Sequence, residues 1–183
     1  YILKKKIMKK LYIILLILPL IGLGQTEYKS SKMSFLYPDD YVEKNTRNVQ
    51  NVSVKLVPKE GYGTQRTDNI IIHTSNRYSS LGQIKKDDFL RSLKNETEQG
   101  MKQMGITNFK WDVISYEKKT VSGKQVISTL TKTDLPDYDI YMYSLQYTYV
   151  QNGKSCFITL SYDEGKNNFK SKINYILKSL EIK

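Results

Sequence analysis

Thiols and imidazoles are nearly missing from this chain: its 183 residues include one cysteine, Cys156, and one histidine, His73. A lone cysteine excludes an intramolecular disulfide, so the core alone must hold the fold together. One His and one Cys also exclude a zinc site of ordinary ligands built from this chain alone. A Ser-His-Asp triad would have to use His73, and no Gly-x-Ser-x-Gly elbow presents a serine to it. Gly61-Tyr62-Gly63 is too short for a phosphate loop and opens no helix. There is no internal repeat, low-complexity tract or linker, so nothing divides the chain after its leader. No cofactor motif, metal-ligand set or catalytic constellation is recognisable. Cys156, in a strand-like run, reads as a buried inert thiol, and His73 as a strand histidine packed or hydrogen-bonded at a sheet edge.

A long apolar run is also lacking. Leu11 to Leu18 is uninterrupted, Pro19 breaks it, and it ends at Leu23, short of the roughly 20 residues that cross a bilayer. Lys9 and Lys10 precede this run, and Gly22 and Gly24 follow at the small-residue positions of a cleavage site. That order reads as a signal peptide over residues 8–24, with the working protein expected to begin near Gln25. Gln25 stands where a lipoprotein needs cysteine, so lipidation is not expected. Residues 1–7 precede the first methionine and read as an upstream extension of the gene model. Residues 25–183 then make one domain of ample size for its own core.

The leader changes the electrostatic picture. Five lysines (Lys4, Lys5, Lys6, Lys9, Lys10) and no acid precede Gln25, so the formal charge of +11 falls to +6 without them. The remaining lysines are interspersed with acids, as in Glu117-Lys118-Lys119 and Lys85-Lys86-Asp87-Asp88, which is the pattern of a solvated surface. Nucleic acid is therefore not the expected partner.

Periodicity supplies the elements. Met33 to Tyr37 is a short strand stopped by Pro38, and Asp39 to Val42 a turn; Glu27 to Lys32 reads as polar and frayed. Val49 to Val57 alternates as a half-buried strand. Lys59 to Asp68 is a loop, and Ile70-Ile71-Ile72 predicts a central strand covered on both faces. From Asp87 the period becomes helical: Phe89, Leu90, Leu93, Thr97, Met101 and Met104 share a face, with Gly105 as the stop. Strands follow over 109–120, 125–133, 139–151 and 154–162. Asn152-Gly153 predicts a type I′ hairpin turn. Phe169, Ile173, Ile176, Leu177 and Leu180 mark a closing amphipathic helix capped by Asn167 or Asn168. Hairpins impose antiparallel pairing, and two apolar helix stripes need a sheet to cover. The expected fold is a single-domain α+β sandwich of an antiparallel β-sheet flanked by helices.

This order, with its local wording, resembles the PsbP-like family, whose fold is shared by the photosystem extrinsic protein PsbP, a yeast nuclear-transport factor and bacterial exported DcrB-type proteins. Phe35-Leu36-Tyr37-Pro38-Asp39-Asp40-Tyr41 resembles the family's opening strand. Ile70-Ile71-Ile72 is similar to the strand before its long helix, and Val121-Ser122-Gly123-Lys124 to its apolar-x-Gly turn. Tyr147 through Thr159 looks like its late hairpin, and Ile176-Leu177-Lys178-Ser179-Leu180 like its closing helix. The resemblance implies a non-catalytic binding or assembly factor and carries over no catalytic motif.

Two side-chain groups stand out as candidate sites. Asp134, Asp137 and Asp139 cluster around Pro136; their oxygens suit Ca²⁺, but the Gly and distal Glu of a calcium loop are absent, and polar turn chemistry is the preferred account of them. Tyr141, Tyr143, Tyr147 and Tyr149 share one face of a single strand, with Ile140, Met142, Ser144, Gln146, Thr148 and Val150 opposite. Such a face either binds partners or lies beneath a helix that its hydroxyls skirt. The reading is an exported, secreted or periplasmic, non-enzymatic binding or accessory protein whose partner is a protein or cell-envelope component. The alternative from another class is a secreted hydrolase with a carboxylate-based site.

Overall fold

The computed structural model describes residues 25–44, 54–61, 63, 68–163 and 169–183. The leader, the residues before Met8, the start of the strand expected from Val49, part of the Lys59–Asp68 loop and the Asn167/Asn168 cap lie outside the described residues. Among these, the order is β1 Gln25–Lys29, β2 Met33–Pro38, β3 Tyr41–Lys44, β4 Val54–Pro58, β5 Asn69–Ser75 and helix α1 Lys86–Gln103. Then come β6 Lys110–Val121, β7 Lys124–Leu135, β8 Ile140–Gln151, β9 Lys154–Asp163, helix α2 Phe169–Ser179 and β10 Glu181–Ile182. No described helix is long and apolar enough to cross a membrane.

Seven strands form one antiparallel sheet in the order β3-β4-β5-β9-β8-β7-β6. Its right half is a meander made by tight turns. Ser122-Gly123 and Asn152-Gly153 both carry positive φ at their two residues, the type I′ geometry whose twist matches that of the strands it joins. In β6 the register steps from Val113↔Thr131 to Ser115↔Leu130, which leaves Ile114 as a bulge. The expected central strand is found: β5 lies inside the sheet, with Ile70 and Ile72 fully buried and Ile71 half-buried on the other face.

A second, three-stranded sheet, β1-β2-β10, adds to the expected architecture. The first half of the stretch read as frayed, Glu27 to Lys29, belongs to β1, which pairs Gln25 through Lys29 with Pro38 through Ser34 of β2. Pairing with a strand from elsewhere in the chain, rather than local pattern, makes it a strand. The same holds for β10, whose Glu181 and Ile182 pair with Ser34 and Met33.

The large sheet has two unlike faces. On one, Ile70, Ile72, Ile158, Leu160, Leu145 and Tyr147 meet Met33 and Phe35 of β2 and Ile173, Ile176 and Leu177 of α2 in a single core. Burying each such side chain contributes on the order of 1.5–3 kcal/mol. Ser179 anchors the helix end, its hydroxyl accepting from the Leu36 backbone N–H at 2.8 Å. On the other face lies α1, with Ile84, Phe89, Ile127 and Phe157 in a smaller cluster. Asp87 and Asp88 sit in the first turn of α1, where its dipole favours acids. Gly105, at φ 76, ends it as expected: its N–H donates to Lys102 and that of Ile106 to Met101. The face expected to be covered is covered unevenly, since Phe89 and Met101 are buried but Met104 is 63% exposed. Met104 is the C-cap, already past the sheet.

Candidate functional site

The tyrosines of β8 do not form one open face. Tyr147 is fully buried beneath α2, where its hydroxyl donates to Asn174 Oδ1 at 2.8 Å. Tyr149 is half-buried against the same core, with Lys124 Nζ 5.1 Å from its ring centre. This half of the stripe therefore belongs to the core, because α2 needs an apolar floor. Tyr141 and Tyr143 lie outside that core and are half-buried. Lys132 Nζ stands 3.9 Å from the Tyr141 ring centre, and Tyr143 stacks on Tyr162 at 5.6 Å.

The acidic group is a turn. Asp137 and Asp139 are exposed, and Asp134 is half-buried in β7. Asp137 accepts from the Asn108 side-chain amide at 2.7 Å, and Asp139 takes left-handed φ 52 after the 3-10 turn Pro136–Tyr138. Among the described residues, no group of three or more His, Cys, Asp or Glu is placed to hold a metal ion.

A groove that no sequence motif marks lies between α1 and the sheet. Register sets its floor. Ile71, Thr159, Gln146, Thr129 and Tyr116 stand side by side across β5, β9, β8, β7 and β6. The next row brings Ser161, Ser144 and Thr131 together, and beyond it Met142, Thr133 and Trp111. Directly opposed residues share a face, so a band of hydroxyls with one carboxamide crosses the middle of the sheet. Phe89, Ser92, Leu93, Glu96, Thr97 and Met101 form the helix wall, at the spacing of one helix face.

The groove is open to solvent along part of its length and has two lobes that meet at Leu93, Glu96, Gln146 and Thr159. The larger, about 520 Å³, lies over Ile71, His73 and Phe157 with Arg77 at its side. The smaller, about 260 Å³, lies over Thr129, Thr131 and Thr133 and ends at Trp111. Arg77 donates to the Ser92 hydroxyl at 3.0 Å, and Ser92 donates to Glu96 at 3.1 Å. His73 stacks on Phe157 with ring centres 4.6 Å apart. Burial pushes its pKa below the ordinary value, with the Glu96 carboxylate opposing, so the ring is neutral at physiological pH. Thr129 Oγ1 is fully buried with no hydrogen-bond partner among the described residues. Gln146, only 8% exposed, lines both lobes.

The signal for this groove was present but ambiguous. Thr129, Thr131 and Thr133 alternate on β7 as Ser144 and Gln146 do on β8. Alternating polar residues read as a face turned to water, and only the placement of α1 turns that face into a wall.

No family model matches the sequence, and no curated protein matches it. Solved structures do. The fold and its faces define an α+β sandwich of the class to which cyanobacterial PsbP belongs. The solution structure of that protein (CyanoP) from Synechocystis sp. PCC 6803 superposes with a TM-score of 0.60 at 14% identity, over 88% of this chain and 96% of that one. A crystal structure from Bacteroides thetaiotaomicron VPI-5482 gives 0.57 at 13% identity, over 87% of this chain and 48% of that one. This chain thus spans about half of the Bacteroides protein. The fold is PsbP-like, as the local resemblances implied.

Proposed function

We propose that this chain is an exported, non-enzymatic binding or accessory protein of the cell envelope, with the groove between α1 and the sheet as its ligand site. One observation carries the reading: a groove floored by polar side chains, among them the buried Thr129 hydroxyl, which has no partner among the described residues. Leaving a buried polar group unpaired costs about 1–3 kcal/mol, and sites that tolerate this are commonly sites that receive something. Cleavage before Gln25 would deliver the folded domain outside the cytoplasm without a lipid anchor. Tyr141 and Tyr143, with Lys132 between strands beside them, offer a second surface on the opposite face, suited to a protein partner.

Expression of the full chain followed by fractionation and N-terminal sequencing tests the export half. The expected product is extracytoplasmic and begins near Gln25; an uncleaved cytoplasmic product overturns it. Native mass spectrometry of that product tests the binding half, with a bound small molecule expected on a fraction of the protein.

A further inference from the structure

We infer that the groove takes an uncharged, polyhydroxylated ligand, namely a neutral saccharide; this rests on the groove being the ligand site proposed above. The lining selects the class. Thr129, Thr133 and Thr159 carry hydroxyls that can both donate and accept, Thr131 and Ser144 carry hydroxyls already bonded to the Ser144 carbonyl and the Ser161 hydroxyl, and Gln146 presents one group of each kind. Such two-way groups match sugar hydroxyls, which are also two-way. An acyl chain or steroid would give Gln146 and the hydroxyls of Thr129, Thr133 and Thr159 no partner, at a penalty for every buried group.

Charge narrows the choice further. Among the described residues, the charged side chains lining the two lobes are Glu96 and Arg77, one of each sign, and His73 is neutral. No cationic cluster attracts a phosphate or sulfate, and no carboxylate cluster holds a cation. Glu96 sits where the lobes meet, across from Gln146, so a carboxylate and a carboxamide address the same point from helix and sheet. Rings stand at both ends: Trp111 closes the smaller lobe, and the stacked His73–Phe157 pair lies in the larger. Aromatic faces accept the apolar C–H face of a pyranose, while the hydroxyl edge turns to the threonines. The larger lobe, at about 520 Å³, lies within the usual range of small-molecule sites. Two lobes with a shared waist suit a disaccharide unit better than a single ring.

Trp111 is the only tryptophan, so its fluorescence reports on the groove. The purified protein is titrated with cellobiose, maltose and chitobiose, then with a neutral-glycan array, and in parallel with palmitate, inorganic phosphate and a mixed tripeptide library. The expected result is a saturable Trp111 shift with at least one neutral saccharide, weakened tenfold or more in Thr129→Val and in Gln146→Ala. Thr148→Val is the control, since Thr148 Oγ1 is equally buried and unpartnered but lines neither lobe; its affinity is expected to stay within twofold of the parent. Thermal melts establish that each variant folds, and Gln146→Leu replaces any that does not. A response confined to palmitate, phosphate or peptide overturns the saccharide assignment while leaving the binding function standing. No response to any probe or array member, or equal loss in Thr148→Val, overturns the assignment as well; the native mass spectrum then decides separately whether the protein carries a ligand at all.

Discussion

The Tyr147 hydroxyl, midway along β8, donates to the Asn174 side-chain oxygen on α2 at 2.8 Å. This bond joins the large sheet to the helix above it, and it places a polar tip in a core of aliphatic and aromatic side chains. Ring and hydroxyl can be separated. Tyr147→Phe keeps the packing and removes one hydrogen bond, so a loss of about 1 kcal/mol is expected. Tyr147→Ala also opens a cavity, and about 3–5 kcal/mol is expected. Urea unfolding followed by circular dichroism measures both, and similar values for the two variants would contradict the packing role.

Ser179 serves the same helix from its end. Its hydroxyl accepts from Leu36 N–H at 2.8 Å and lies 3.1 Å from the Ile176 carbonyl, so it bridges α2 to β2. Ser179→Ala leaves the strand amide without that acceptor and is expected to lose about 1–2 kcal/mol. Ser80→Ala, at an exposed position without a side-chain cap bond, is the comparison and is expected to change stability by less than about 0.5 kcal/mol.

Cys156 is fully buried, and burial pushes its thiol pKa up to about 12, with Lys124 opposing. The thiolate is the reactive form. Native protein at pH 8 is expected to resist iodoacetamide for hours, while urea-unfolded protein reacts within minutes. Intact mass spectrometry reads the difference, and rapid alkylation of the native fold would contradict the burial of the thiol.

His73 predicts an acid-sensitive term. Its folded pKa is depressed by burial against the ordinary value of about 6.5. The unfolded chain therefore binds the proton more readily, so stability falls as pH drops below about 6.5. Above that value both states are neutral and the contribution is level. Denaturant midpoints between pH 7.5 and 5 are expected to fall more steeply for the parent than for His73→Gln. Parallel slopes would remove His73 as the cause.

Strands, hairpins and both helices were legible because alternation and 3.6-residue spacing follow from burial on one face, as in Ile70-Ile71-Ile72 and in Ile173, Ile176 and Leu177. Elements made by distant pairing were not. Glu27 to Lys29 has no apolar pattern of its own and becomes a strand because Phe35 and its neighbours offer an edge. The tyrosine stripe was visible as a face, but which half α2 would cover depends on where a helix some 25 residues later lands. The groove was least legible, since Thr, Ser and Gln at alternate positions look the same against water as against a helix held at a distance.

The bulge at Ile114 bears on that groove. Trp111 and Tyr116 are five positions apart on one strand, an odd interval that regular alternation sends to opposite faces. Yet Trp111 opposes Thr133 and Tyr116 opposes Thr129, and both rings look toward α1. The extra residue inverts parity midway along β6: odd-numbered side chains face the helix before it and even-numbered ones after it. Ile114 itself is half in solvent, at 51% exposure, and points at no ligand. Its mere presence in the count decides that β6 turns two aromatic rings toward α1 instead of one, Trp111 into the groove and Tyr116 against Phe89.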